Sequence, residues 1–161
     1  MKKITYRFIS IVFVFLSSCV STKSTLKNVD NTAQKPKVLN NAFVLTEKSP
    51  DGKYGYDKDF PINLGFENEY TSAKNIVLFF NALTGLNNEK ISYKKVDDCC
   101  PFPTKRSVMG AGMLVVYEVN FEGIEVTKRL YFNVFDKGKM MCPKGFKIKN
   151  TEQNTGKITT D

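Results

Sequence analysis

Four cysteines and no histidine set the chemistry open to this chain of 161 residues. Without His, the commonest general base and zinc ligand is missing, and so is every Ser-His or Cys-His catalytic arrangement. Cys99 and Cys100 are adjacent, Cys142 stands apart, and Cys19 closes an apolar N-terminal run. In an oxidising compartment, Cys99, Cys100 and Cys142 make one disulfide and one leftover thiol. Adjacent Cα atoms sit about 3.8 Å apart across a trans peptide, below the usual disulfide range. The expected bridge therefore joins Cys142 to Cys99 or Cys100, a structural staple worth about 4 kcal/mol in the chain-entropy model. The alternative is a redox or metal thiol pair. Asp97 and Asp98 lie directly upstream and discourage the thiolate. The adjacent cysteines lack C-x₂-C spacing and no His completes a zinc set, which leaves a soft Cu(I) site as the remaining metal option. No metal site and no cofactor is expected.

Other side chains offer weaker signals. The acid pairs Asp97/Asp98, Asp57/Asp59 and Glu67/Glu69 are the raw material of glycoside hydrolysis, which depends on a separation that sequence does not give. Tyr54 and Tyr56, with Phe60, are binding candidates for a sugar or peptide groove; aromatics among glycines also serve as pegs pinning a loop to the core. Lys137, Lys139 and Lys144, with Lys147 and Lys149, form an acid-free basic run. It suits an anionic envelope polymer or an acidic partner protein, or else it is a solvated edge that blocks sheet aggregation. No GxSxG, HExxH or phosphate-cradling glycine loop is present.

The N-terminus says where these groups work. Lys2, Lys3 and Arg7 precede a short apolar run ending Leu16-Ser17-Ser18-Cys19, which matches the lipobox of bacterial lipoproteins. The expectation is a signal peptide over 1–18 and acylation of Cys19. Each buried CH₂ contributes about 0.8 kcal/mol, and two acyl chains suffice for stable anchoring. Val20 at the next position, with no acidic cluster after it, favours an outer-membrane, periplasm-facing address over the inner membrane or cell surface. The formal charge of +8 falls to +5 once Lys2, Lys3 and Arg7 are removed with the signal. Nucleic acid is not an expected partner outside the cytoplasm; the membrane, reached through the acyl chains, is.

Polar residues over 19–41 read as a flexible tether, residues 42–148 as one domain, and 149–161 as a polar tail. Ala42–Thr46 is a short first strand, Ser49-Pro-Asp-Gly52 a turn, and Ile62–Leu64 a brief extended piece. A helix follows, N-capped by Thr71 or Ser72, with Ala73, Ile76, Phe80 and Leu83 at helical spacing, Val77 and Phe79 widening the face, and Gly85 as the stop. Strands are expected over 90–96, 112–119 and 124–135, with a hairpin at Asn120–Gly123 and a last short strand near Lys139–Cys142. The fold class is α+β: a mostly antiparallel meander with one main helix packed on a face.

Several segments together carry a family resemblance: Lys53-Tyr-Gly-Tyr56, Pro61-Ile-Asn-Leu-Gly65, Phe80-Asn-Ala-Leu-Thr-Gly85, Cys99-Cys-Pro-Phe102, Tyr117-Glu-Val119 and Pro143–Phe146. Over about residues 53–146 the chain resembles small lipoproteins of Bacteroidota with YGY, NPI–G, FLNAL and CCPF segments. The resemblance implies an envelope lipoprotein and carries no biochemical role with it. Some relatives are labelled 2-dehydro-3-deoxyphosphooctonate aldolase, a (β/α)₈ barrel that needs about 200–250 residues; this chain has neither that length nor the βα alternation. The leading expectation is a non-catalytic binding or structural module. A small envelope enzyme without His and a thiol-based metal or redox protein are the alternatives.

Overall fold

A computed structural model describes residues 24–68 and 71–149. The signal segment 1–18, Cys19, Glu69 and the tail beyond 149 lie outside the described residues. The centre is a four-stranded sheet of β3 (Ile62–Asn63), β7 (Ile124–Asn133), β6 (Ala111–Phe121) and β5 (Ile91–Pro103), in that order. β5, β6 and β7 form the expected antiparallel meander, but β3 pairs parallel to β7, with Ile62 opposite Phe132. Two small ribbons flank the sheet. One joins β1 (Val38–Leu39) to β2 (Ala42–Phe43) and the other joins β4 (Leu83–Thr84) to β8 (Lys147–Ile148).

Helix α1, Ser72–Asn81, begins after Thr71 and ends at Ala82. Its Ile76, Leu78, Phe79 and Phe80 are buried, whereas Val77 is 40% exposed and does not widen the face as its apolar character suggests. Phe80 lies at the centre of an aromatic cluster: stacked on Tyr93 at 3.9 Å between centroids, edge-on to Phe132 at 5.3 Å and tilted against Tyr117 at 5.5 Å. Gly85 ends in a different context from the one expected, because Leu83 leaves the helix to pair with Ile148.

Alternation along β6 separates two cores. Tyr117, Val119 and Phe121 face the helix and the large core, while Leu114 faces a smaller one with Leu26 and Phe102. The smaller core contradicts a flexible tether over the described part of residues 19–41. Within its described part, residues 24–41 are folded onto the domain: Leu26 is buried, Lys27 N donates to Asp59 O, Asn63 Nδ2 donates to Asn28 O, and Asp30 N donates to Lys137 O. A polar composition hid the segment because its anchors are two apolar side chains, Leu26 and Val29, with the amides of Asn28 and Asn31 and a series of backbone groups. The end of the chain differs as well. Lys139–Cys142 forms no strand; Cys142 makes an isolated bridge to Lys48, and the last pairing falls at Lys147–Ile148.

Candidate functional site

The cysteines are not arranged as expected. Cys99 and Cys100 are joined to each other across a trans peptide, with Cα atoms 3.7 Å apart, and Cys142 is free and buried. A bridge to Cys142 is blocked by the fold. Cys100 packs on the smaller core with Leu26, Phe102 and Leu114, Cys142 belongs to the larger core, and the sheet stands between them. The staple reading falls with it. A bridge spanning one peptide closes so short a loop that chain entropy yields only about 1 kcal/mol. What the bridge does is local: Cys100 takes φ +59°, and the β5–β6 register slips between Cys99 and Phe102.

Cys142 is shielded. Its Sγ donates to Pro143 O, and burial pushes the thiol up to about 11, with the Lys48 ammonium opposing weakly. Burial likewise pushes the Tyr56 phenol up to about 12. Both groups hold their protons in the folded chain at a pH where the unfolded chain releases them, so stability is complete below the unfolded values and declines as pH rises. The window runs from the ordinary 9.0 to about 11 for Cys142, and from 10.0 to about 12 for Tyr56. Urea midpoints should stay level to about pH 8.5 and fall steadily toward pH 11, with Cys142→Ala flattening the first part of the decline.

The aromatic binding candidates are pegs. Tyr54 is fully buried, its hydroxyl donating to Lys139 O and accepting from Met141 N, so it lines no groove. Tyr56 donates to Lys144 O, and its ring, with those of Phe121 and Phe146, surrounds Lys128 Nζ at 5.5 to 5.8 Å. The chain therefore fills this aromatic cage with its own cation. Members of the basic run are held by separate partners. The Lys137 backbone is held by Asp30 and Asn31, Lys139 pairs with Glu47 at 2.7 Å, and Lys147 donates to Asn88. Lys144 is exposed, with its backbone carbonyl taken by Tyr56.

The acid pairs serve local structure. Asp57 Oδ1 accepts from Asp59 N, Asp98 pairs with Lys95, and Glu67 pairs with Lys35. Among the described residues no three His, Cys, Asp or Glu side chains gather as a metal set.

A polar constellation not anticipated from sequence lies where β3 and β7 end. Asp136 is buried and accepts from Thr104 Oγ1 at 2.9 Å and from Asn133 Nδ2 at 3.3 Å. Asn133 Nδ2 also donates to Asn63 Oδ1, while its own Oδ1 accepts from the backbone of Phe135 and Asp136. Arg106 reaches in to donate to Phe135 O and Gly65 O. The signal was present in Pro61-Ile-Asn-Leu-Gly65 and Asn133-Val-Phe-Asp-Lys-Gly138, which read only as strand and turn.

This knot fixes the base of the β5–β6 loop, residues 104–110. The loop closes on itself through Thr104 N to Gly110 O, Gly110 N to Ser107 O and Arg106 N to Thr104 Oγ1. At its tip Val108 is fully exposed and Met109 is 89% exposed. A loop closed by its own hydrogen bonds, with a buried carboxylate and an arginine at its foundation, thus offers two large apolar side chains to solvent. Together with the neighbouring Cys99–Cys100 bridge, it is the candidate site. Compared with protein-family models, curated proteins and solved structures, the chain matches none.

Proposed function

We propose that the chain is an exported lipoprotein, acyl-anchored through Cys19 in the outer membrane and facing the periplasm, whose folded domain is a non-catalytic binding module. Its contact residues are Val108 and Met109. The observation that carries this reading is the pairing of exposure with a hydrogen-bonded loop: apolar residues at a surface mark interaction sites when they are grouped and held in place. Apolar contacts favour an envelope protein over an anionic polymer as the partner. The chemistry-bearing side chains support a non-catalytic role by what they do, since Asp136, Thr104, Asn133 and Arg106 are consumed in holding the loop.

Anchoring and docking are tested separately in cells. The full chain should fractionate with the membrane and Cys19→Ser should not; a Cys19→Ser chain that stays membrane-bound overturns the anchoring. A photoreactive phenylalanine in place of Met109 should cross-link one defined envelope protein, and the same probe at exposed Glu125 should not. Adding Val108→Asp should abolish the cross-link without changing the thermal midpoint. Absence of a cross-link from position 109, or equal cross-linking from 125, overturns the docking assignment.

A further inference from the structure

We propose that the Cys99–Cys100 bridge is a reversible thiol–disulfide site, exchanged with a dithiol protein of the envelope, whose oxidised form holds the bulge at the foot of the 104–110 loop. This stands whether or not the loop docks a partner. Three placements carry it. The bridge joins neighbours in sequence, so opening it severs no link between distant elements. Both cysteines are half-buried and therefore reachable, on the outermost strand of the sheet. And the bridge coincides with the left-handed Cys100 and with the register slip between Cys99 and Phe102.

A non-glycine residue has little reason of its own to remain in the left-handed region. The ring formed by the bridge keeps Cys100 there. Once opened, Cys100 can return to extended backbone, and the step between Cys99 and Phe102 changes. Side chains alternate along a strand, so a changed step re-aims every residue beyond it. Phe102, packed with Leu26 and Leu114 and edge-on to Phe135 at 6.1 Å, then leaves its place. The loop from Thr104 follows.

The exchange balances without further reagents. A thiolate of the dithiol attacks one bridge sulfur; the S–S bond breaks as a mixed disulfide forms, and the other cysteine departs as a thiolate and takes up a proton. The second thiolate of the dithiol then attacks the mixed disulfide, closing its own disulfide and releasing the remaining cysteine, which is protonated in turn. The dithiol is oxidised by two electrons and the bridge is reduced by two. Cys142 takes no part, being buried in the other core.

The test is a dithiothreitol titration of the full-length protein in detergent, with thiols located by alkylation and peptide mass and amide exchange followed in parallel. The expected result is reduction of Cys99 and Cys100 under native conditions, capture of the pair as a single adduct of phenylarsine oxide, and return of the bridge when reductant is withdrawn. Cys142 should remain unalkylated until the chain is denatured. Amide exchange at Phe102, Thr104 and Gly110 should quicken about tenfold or more on reduction, and a Cys99→Ser/Cys100→Ser chain should show the reduced pattern. Free thiols in the air-oxidised protein, reduction only after unfolding, or unchanged exchange on reduction would each overturn the proposal. The wild-type titration decides the matter if the double variant fails to fold.

Discussion

Phe80→Ala should cost about 3–5 kcal/mol, the range for deleting a fully buried aromatic ring whose surroundings cannot close the cavity. Collapse is prevented on three sides. Tyr93, Tyr117 and Phe132 each hold geometry against the ring, and each sits on a different strand of a hydrogen-bonded meander. Aromatic contacts add roughly 0.5–1.5 kcal/mol beyond area burial, so the loss should fall toward the upper end. In urea the midpoint should drop with m unchanged, and the thermal midpoint should fall by roughly 10–15 °C. Val77→Ala on the same helix is the control, and should cost under about 1 kcal/mol because that side chain is 40% exposed and leaves no closed cavity when shortened. Equal losses at the two positions would show that the helix packs in another orientation.

Gly65→Ala should be nearly as damaging, for a different reason. A Cβ at Gly65 would run into the Phe135 carbonyl and stand 2.6 Å from Asp136 N. Both obstacles are backbone, so no rotamer change relieves them. Gly65 also donates its N–H to Asp136 O and accepts from Arg106, which makes any shift propagate into the knot beneath the loop. The expected cost is about 3 kcal/mol or more, at the upper end of overpacking. Gly123→Ala isolates the other effect a glycine can have. Its φ is +77° and nothing lies within 4 Å of an added Cβ, so only the left-handed conformation is penalised, by about 1–2 kcal/mol. Should the two losses match, the close approach of residue 65 to residues 135 and 136 is not part of the fold.

The sequence was legible where one physical signal dominates. Period-two alternation located β6 and β7, and the spacing of Ile76 and Phe80 with Thr71 before them located α1. It was less legible where a pairing depends on distant partners. β3 is two residues long, and its parallel partner lies some seventy residues on, beyond the reach of any local pattern. β5 read as a strand only to Val96, because bulges after Lys95 and Cys99 break the alternation that would have extended it. The site failed for a related reason. Sequence arithmetic paired Cys142 with the adjacent cysteines on grounds of distance alone, while the layer each thiol occupies is a property of the assembled sheet. The buried Asn63 and Asn133 looked like ordinary strand residues and Asp136 like an ordinary turn residue, since their significance comes from meeting one another.

The packing of Leu26 against the smaller core also limits how far this domain can travel. With Cys19 as the acylated residue proposed above, six residues separate the membrane attachment from Leu26, the first buried side chain among the described residues. Fully stretched, the path from Cys19 to Leu26 spans about 25 Å, less than a bilayer is thick. The domain would then be moored close to the lipid headgroups and unable to reach across the periplasm on a long lead. A partner meeting Val108 and Met109 must accordingly come to the membrane surface, or already reside there.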